Sequence, residues 1–277
     1  MQSAIPPVPP DAVAELPVPG ESRWNGWGCA GIGCLSFAVF VIAQVVLTFV
    51  LIIVHYPGFW HSMELGVVPK SMIAQLQNAR GLAKLLSPGN LVLLGVVSDG
   101  ALVLVAVGLA RTAFRARLES FGLRGPFEWK RVALGVPAGV VLLGASAIAE
   151  ALQTKLVGPH PQMVAQILAT RHGLPSFLLD FLAVSLIAPA AEEIFFRGFL
   201  FAGLAQRMPI IAAALISGAI FGAAHLDPWN FVPLFTIGVG LAYLYRFTGV
   251  LWSNMVAHST VNTISLIAAY LYPQLVK

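Results

Sequence analysis

Charged side chains are scarce in this sequence. Lys, Arg, Asp and Glu make up only 10% of its 277 residues, whereas hydrophobic residues make up 58%, and the mean hydropathy is +0.83. A soluble domain has about 25% charged residues. Because so few charges cannot cover a water-facing surface, the composition excludes an ordinary soluble protein and predicts a chain whose surface is largely covered by lipid.

Cysteines and dense basic clusters are also rare. The two cysteines, Cys29 and Cys34, are five residues apart in an apolar run, which indicates neither a disulfide framework nor a metal-binding quartet. The formal net charge is only +4, so we do not expect a nucleic-acid partner. Residues 1–28 lack the basic segment of a cleaved signal peptide. They are rich in proline and predict a disordered N-terminal tail.

Long apolar runs are what the sequence does contain. A membrane-spanning helix needs about 20 mostly apolar residues, and seven runs approach that length: Cys29–Val54, Leu91–Ala110, Val132–Ala149, Phe177–Leu200, Ile210–Ala224, Phe231–Tyr245 and Leu251–Tyr272. We therefore expect an all-α, polytopic membrane helix bundle with about seven transmembrane helices, within a range of six to eight. Residues 57–90 leave the number open, because the amphipathic segment Met72–Leu86 favours a helix lying on the membrane surface.

The runs predict three parts of the chain: the tail (1–28), N-terminal transmembrane helices with the surface segment (29–174), and a C-terminal helical core (175–272). The loop after the second run is the most basic, with Arg111, Arg115, Arg117, Arg124, Lys130 and Arg131. Short basic loops face the cytoplasm. We expect a multi-pass protein of a bacterial-type plasma membrane, in contact with lipid, with its N-terminus in the cytoplasm.

Ionisable residues within the fourth run are the strongest functional signal, since charges inside a membrane are costly and mark function. Glu193 and Arg197 are four residues apart, so they lie on one helix face and can pair. Glu192 points about 100° away from Glu193 around the helix axis, which leaves it for another role. The alternative is a structural ion pair with a spare glutamate at the lipid boundary.

Polar residues at two later helices accompany these glutamates. His225 ends the fifth run, while His258 and Asn262 are four apart on one face of the seventh. Each has a structural alternative, as a helix cap or as a hydrogen bond between helices. Other acidic residues, Glu150, Asp180 and Asp227, lie near predicted helix ends, where an interfacial position is favoured.

Distances along the helices predict that these side chains lie at one depth. Glu192 and His225 are about 15 and 16 residues from the turn near Gln206–Pro209, or about 22–24 Å at about 1.5 Å per residue. His258 and Asn262 are about 15–20 Å beyond the turn on the same side near Thr248–Gly249. We therefore expect all four side chains to meet in one buried layer.

Such a layer suits hydrolysis of an amide bond. A carboxylate beside a histidine can activate water as a general base, and a histidine with an amide can stabilise an oxyanion. Glutamate with two histidines is also a zinc ligand set with an open fourth position. The sequence has no His-Glu-x-x-His helix, and the spacing leaves both the metal and the metal-free mechanism open.

Three motifs in order carry a family resemblance: Glu192-Glu193-x-x-x-Arg197, Phe221-x-x-x-His225 and His258-x-x-x-Asn262. Over about residues 175–270 the chain resembles the CPBP family, the CAAX prenyl protease 2 and bacteriocin-processing proteins. Arg197-Gly198 and Gly249-Val250-Leu251-Trp252 agree with it.

The resemblance implies an all-helical intramembrane endopeptidase acting on a peptide or protein substrate in or at the membrane. By matching position, Glu192 with His225 would activate the water, and His258 with Asn262 would stabilise the oxyanion. Glu193 and Arg197 would support them. We favour a glutamic mechanism that requires no cofactor, with a divalent metal such as zinc as the other possibility. A non-proteolytic immunity or scaffold protein of the same fold, and a transporter, are the alternative functions.

Overall fold

A computed structural model describes residues 26–56, 58–123 and 129–276. These residues form α-helices joined by short turns, and no β-strand occurs among them. The helices are α1 (Gly26–His55), α2 (Gly58–Glu64), α3 (Lys70–Leu76), α4 (Ala79–Leu85), α5 (Pro88–Phe114), α6 (Trp129–Val157), α7 (Met163–Leu168), α8 (Leu174–Leu204), α9 (Ile210–Ala224), α10 (Phe231–Thr248) and α11 (Leu251–Leu271). The prediction of an all-α fold is confirmed.

The long helices correspond to the seven predicted runs. Within the described residues, α1, α5, α6, α8 and α10 with the turn before it are long and apolar enough to cross a membrane. Helix α9 is apolar but has only 15 residues, and α11 has 21 residues and carries several polar side chains. The polytopic membrane bundle is therefore confirmed. Of the predicted tail, residues 1–25 lie outside the described residues, and 26–28 begin α1.

The amphipathic segment differs from the prediction in one respect. Met72–Leu86 is not a single helix but parts of α3 and α4, which are separated by a break at Gln77 and Asn78. The side chain of Asn78 accepts a hydrogen bond from the backbone N–H of Gly81 at 2.8 Å, so it caps α4. A Cβ atom at Gly81 would collide with the backbone of Gln75, which shows how sharply the chain turns.

Helix α8 lies at the centre of the bundle and contacts α5, α9, α10 and α11. Its segment from Phe195 to Phe201 is buried at every position, as expected for a helix surrounded by others. Around it, α6 packs against both α10 and α11, and α1 packs against α5. This arrangement places the acidic part of α8 inside the protein rather than against lipid.

One buried ion pair near the start of α8 was not expected from the sequence. Asp180 was expected at the membrane interface, but its side chain is fully buried. It pairs with Arg171, and its other oxygen accepts a hydrogen bond from the hydroxyl of Tyr270 at 2.6 Å. Arg171 also donates to the carbonyl of Leu86. The ion pair was not foreseen, because sequence spacing does not reveal that the loop carrying Arg171 lies against α8, and the membrane depth of Asp180 stays a prediction.

Two glycines allow α9 and α10 to approach closely. A Cβ atom at Gly238 would lie 2.8 Å from the Cα atom of Gly218, and one at Gly218 would lie 2.9 Å from the backbone nitrogen of Val239. Both contacts are with backbone, which cannot move aside as a flexible side chain would. The crossing fixes the position of α10, whose backbone contributes to the site described below.

We predict that Gly238→Ala lowers the free energy of unfolding by about 1–3 kcal/mol, the usual cost of overpacking. Thermal unfolding in detergent micelles measures this change. The matched control is Gly144→Ala on α6, where a Cβ atom would meet nothing within 4 Å. A Gly238→Ala variant as stable as the Gly144→Ala variant would contradict the prediction.

Candidate active site

A buried ion pair forms the base of the site. The side chains of Glu193 and Arg197 are both 0% exposed, and Arg197 Nη1 donates to Glu193 Oε1 at 2.7 Å. Arg197 Nη2 donates to the carbonyl oxygen of Gly238 at 3.0 Å, and the guanidinium carbon lies 4.7 Å from the ring centroid of Phe221. The two residues occupy one face of α8 because they are four positions apart.

Helix α11 adds two side chains to the same carboxylate. His258 Nδ1 lies 2.9 Å from Glu193 Oε1, and since a carboxylate only accepts, the ring nitrogen donates. Asn254 Nδ2 donates to Glu193 Oε2 at 3.2 Å and to the carbonyl of Leu241 at 2.7 Å. We call Glu193, Arg197, Asn254 and His258 the α8–α11 network. It joins α8, α10 and α11 through groups whose hydrogen bonds are protected from water.

Glu192 stands beside this network without belonging to it. Its side chain is 19% exposed, and its Oε2 atom is buried but has no hydrogen-bond partner in the described part of the chain. The nearest basic nitrogen is His258 Nε2, at 3.9 Å from Oε2, which is too far for a hydrogen bond. Glu192 therefore has an acceptor oxygen available for a ligand.

His225 contacts Phe221, whose ring also lies next to His258. Its Nδ1 atom lies 2.9 Å from the carbonyl oxygen of Phe221 and must donate there, which leaves Nε2 available as an acceptor in the neutral ring. The Phe221 ring has centroid distances of 4.9 Å to His225 and 5.7 Å to His258. The chain leaves α9 directly after His225, since Leu226 has a left-handed φ of 53°.

Asn262 is directed to a neighbouring helix. Its Nδ2 atom donates to the carbonyl of Val184 at 2.8 Å. Val184 lies in a π-helical stretch of α8, Phe181–Ile187, where the wider turn replaces the usual α-helical bonds. One N–H of the Asn262 amide remains for a further acceptor, because an amide NH₂ carries two donors.

Wide turns surround the two glutamates. The α-helical stretch Ala188–Glu193 lies between Phe181–Ile187 and a second π-helical stretch, Ile194–Phe201. A third π-helical stretch, Gly95–Asp99 in α5, packs against Phe181–Ile187 and Ala188–Glu193. π-helical turns occur often at functional sites, and here they change which side chains α5 and α8 direct toward the interior.

The structure thus brings together four of the six predicted site residues: Glu192, Glu193, Arg197 and His258. It records no hydrogen bond or ion pair between Glu192 and His225, or between His258 and Asn262, within the described residues. Instead, His258 binds Glu193. The assignment of catalytic roles to these residues stays a prediction.

Asn254 was missed by the sequence interpretation. It is four residues before His258 and eight before Asn262, so the three side chains form a polar stripe along α11. That spacing was a usable signal, because a third polar residue on the face of His258 and Asn262 has the same reason to point inward.

The zinc alternative requires Glu192, His225 and His258 to converge. Among the described residues, no group of three or more His, Cys, Asp or Glu side chains is arranged to hold a metal ion. The side chains as placed therefore do not form the zinc ligand set that the sequence left open, and we derive no step through a metal.

Comparison with known proteins gives a family match and a curated relative. Residues 174–264, which include α8 to most of α11, match the family described as type II CAAX prenyl endopeptidase, Rce1-like. The putative membrane peptidase YdiL of Bacillus subtilis (strain 168) is 35% identical over 83 residues, which are 30% of this chain and 34% of that protein. The chain thus matches about a third of the length of this curated relative. No solved structure matches significantly.

Proposed function

We propose that this chain, whose residues 174–264 match the Rce1-like family, belongs to the CPBP family and is an intramembrane endopeptidase. The observation that carries the proposal is Glu192, a carboxylate with an unpartnered oxygen beside a buried network of glutamate, arginine and histidine. A water molecule could donate to that oxygen and be activated there as the nucleophile.

The α8–α11 network orients the groups around Glu192. Because Glu193 accepts the Nδ1 proton of His258, the ring is fixed with Nε2 directed toward Glu192. Arg197 balances the charge of Glu193, so the fixed carboxylate does not have to be neutralised by a proton. This support of one active side chain by neighbouring hydrogen bonds is typical of preorganised sites.

The proposed reaction proceeds in three steps. Glu192, assisted by His225, takes a proton from water as the oxygen attacks the carbonyl carbon of the peptide bond. His258, in the form that carries a proton on both ring nitrogens, donates from Nε2 to the oxyanion that forms, and the free N–H of Asn262 donates a second hydrogen bond to it. Collapse of this intermediate breaks the C–N bond, and the proton held by Glu192 passes to the leaving amine.

The substrate class follows from the family. The matching family is named for endopeptidases of CAAX prenyl proteins, and we propose a membrane-associated peptide or protein of that kind. An apolar, lipid-anchored segment would reach a site that lies among transmembrane helices without first crossing water. Peptides that insert without a prenyl group fit the same location.

The test uses the purified full chain in phospholipid vesicles. The probe is an internally quenched peptide with a farnesylated cysteine three residues from its C-terminus, beside the same peptide without the farnesyl group. We expect cleavage by the wild type and a loss of about 100-fold or more in His225→Ala, within the usual range for removal of an acid–base group. His172→Ala, at an exposed histidine, is the control and should cleave normally.

Equal cleavage by the wild type and His225→Ala would contradict the proposed role of His225. No cleavage of either peptide by the wild type would contradict the proposed substrate class. A metal chelator such as 1,10-phenanthroline should leave the rate unchanged under the glutamic mechanism. Loss of activity with the chelator, restored by Zn²⁺, would support the metal mechanism instead.

A further inference from the structure

A carboxyl group on α5 lies at the contact with α8, outside the region of the family match. Asp99 is the last residue of the π-helical turn Gly95–Asp99 and is only 7% exposed. Ser98 beside it donates to the carbonyl of its own helix at Leu94. Asp99 itself has no recorded hydrogen bond or ion pair to any described residue. A buried carboxyl group without a partner is rare, because burial of a polar group without hydrogen bonds is unfavourable.

The packing of α5 against α8 brings the turn that carries Asp99 to the segment that carries Glu192. That turn packs against the stretch of α8 that contains Glu192 and ends at Glu193. A Cβ atom at Gly95 would lie 3.6 Å from Asp99 Oδ2 and 3.4 Å from Ile187 Cγ2. The Asp99 carboxyl group therefore lies at the α5–α8 contact, next to the residue that precedes Ala188–Glu193.

Two N–H groups of α11 already have acceptors in α8. Asn262 donates to Val184, and His258 Nδ1 donates to Glu193. Glu192 Oε2 is buried without a hydrogen-bond donor among the described residues, and the Asp99 carboxyl group has no hydrogen bond to any of them. Two ionised carboxylates facing each other in a low-dielectric interior repel strongly. A proton retained by the pair removes the repulsion, and a ligand that supplies O–H groups provides the missing hydrogen-bond donors.

We propose that Asp99 is a further residue of the site, which holds the attacking water together with Glu192 and keeps one proton on the carboxyl pair. This inference rests on the proposed function. Asp99, the more buried of the two, carries the retained proton and fixes the water by a hydrogen bond. Glu192 accepts the proton that leaves the water and later returns it to the amine, so that the proton on Asp99 is unchanged over the cycle.

The test compares two substitutions at Asp99 with a neighbour as control. Asp99→Ala should lower kcat by about 10- to 100-fold and change KM by less than about threefold, since a misplaced reactant costs about that much. Asp99→Asn should keep kcat within about fivefold of the wild type, because the amide is neutral, of similar shape and still able to donate. Ser98→Ala alters the same helical turn and should behave as wild type.

Rescue by asparagine is the result that a purely structural role would not give. If Asp99→Ala cleaves as fast as the wild type, the inference is wrong. It is equally wrong if Asp99→Asn and Asp99→Ala lose the same activity and the same thermal stability. Both outcomes are judged only when the wild type cleaves the peptide and a Glu192 variant does not. They would therefore overturn the role of Asp99 and leave the proposed function unchanged. A wild type without any cleavage would count against the proposed function first.

Discussion

Replacing Glu192 by glutamine is expected to lower kcat for the quenched peptide by about 1,000-fold without lowering the thermal stability of the protein. Glutamine has nearly the shape of glutamate but cannot take a proton from water, and loss of a general base costs about 100- to 10,000-fold. Stability should be kept because Glu192 Oε2 has no hydrogen bond to lose. Initial rates in vesicles and unfolding curves in detergent measure the two quantities.

The control for this prediction is Glu150→Gln, the same change at an exposed glutamate of α6. It should leave both the rate and the stability unchanged. A Glu192→Gln variant that cleaves within about threefold of the wild type would remove Glu192 from the mechanism. A variant that is inactive but unfolds at a much lower temperature would instead assign Glu192 a structural role.

The helices were predictable from the sequence because membrane insertion imposes a simple rule. About 20 apolar residues are needed to span the lipid, and each predicted run lies within or closely overlaps one observed helix, as Ile210–Ala224 and α9 show. The pairing of Glu193 with Arg197 was also predictable, since residues four apart share one helix face. Both inferences depend on geometry within a single helix.

Contacts between helices were not predictable in the same way. Depth arithmetic placed Glu192, His225, His258 and Asn262 in one layer, but depth does not define the rotation of each helix about its axis. The rotation of α11 directs His258 to Glu193 and Asn262 to Val184. The spacing of His258 and Asn262 alone is equally compatible with a pair that faces one oxyanion.

Wide helical turns are a second limit on predicting side-chain positions from the sequence. A π-helical turn shifts every later side chain around the axis, so extrapolation at about 3.6 residues per turn fails beyond it. Asp99 ends such a turn, and in the sequence it is one acidic residue within an apolar run. The placement of its turn against Ala188–Glu193 depends on the packing of α5 against α8, which no local pattern encodes.

The second large effect concerns stability. We expect Arg197→Met to lower the free energy of unfolding by about 3–5 kcal/mol, because removing one partner leaves the charge of Glu193 buried and uncompensated. Arg197 also donates to Gly238 and lies over the Phe221 ring, so its loss weakens the contacts of α8 with α9 and α10. Arg111→Met, at an exposed arginine near the end of α5, should change stability by less than about 0.5 kcal/mol.

A double substitution separates the charge from the shape of the side chain. Glu193→Gln together with Arg197→Met removes both charges, so it should be more stable than Arg197→Met alone if the unpaired glutamate causes the loss. Recovery should be partial, because His258 and Asn254 also bind Glu193 and a glutamine has only one acceptor oxygen. Unfolding of the two single variants and the double variant gives the coupling energy directly. A coupling energy near zero would show that Glu193 and Arg197 act independently, and the network would then owe its stability to packing rather than to the ion pair.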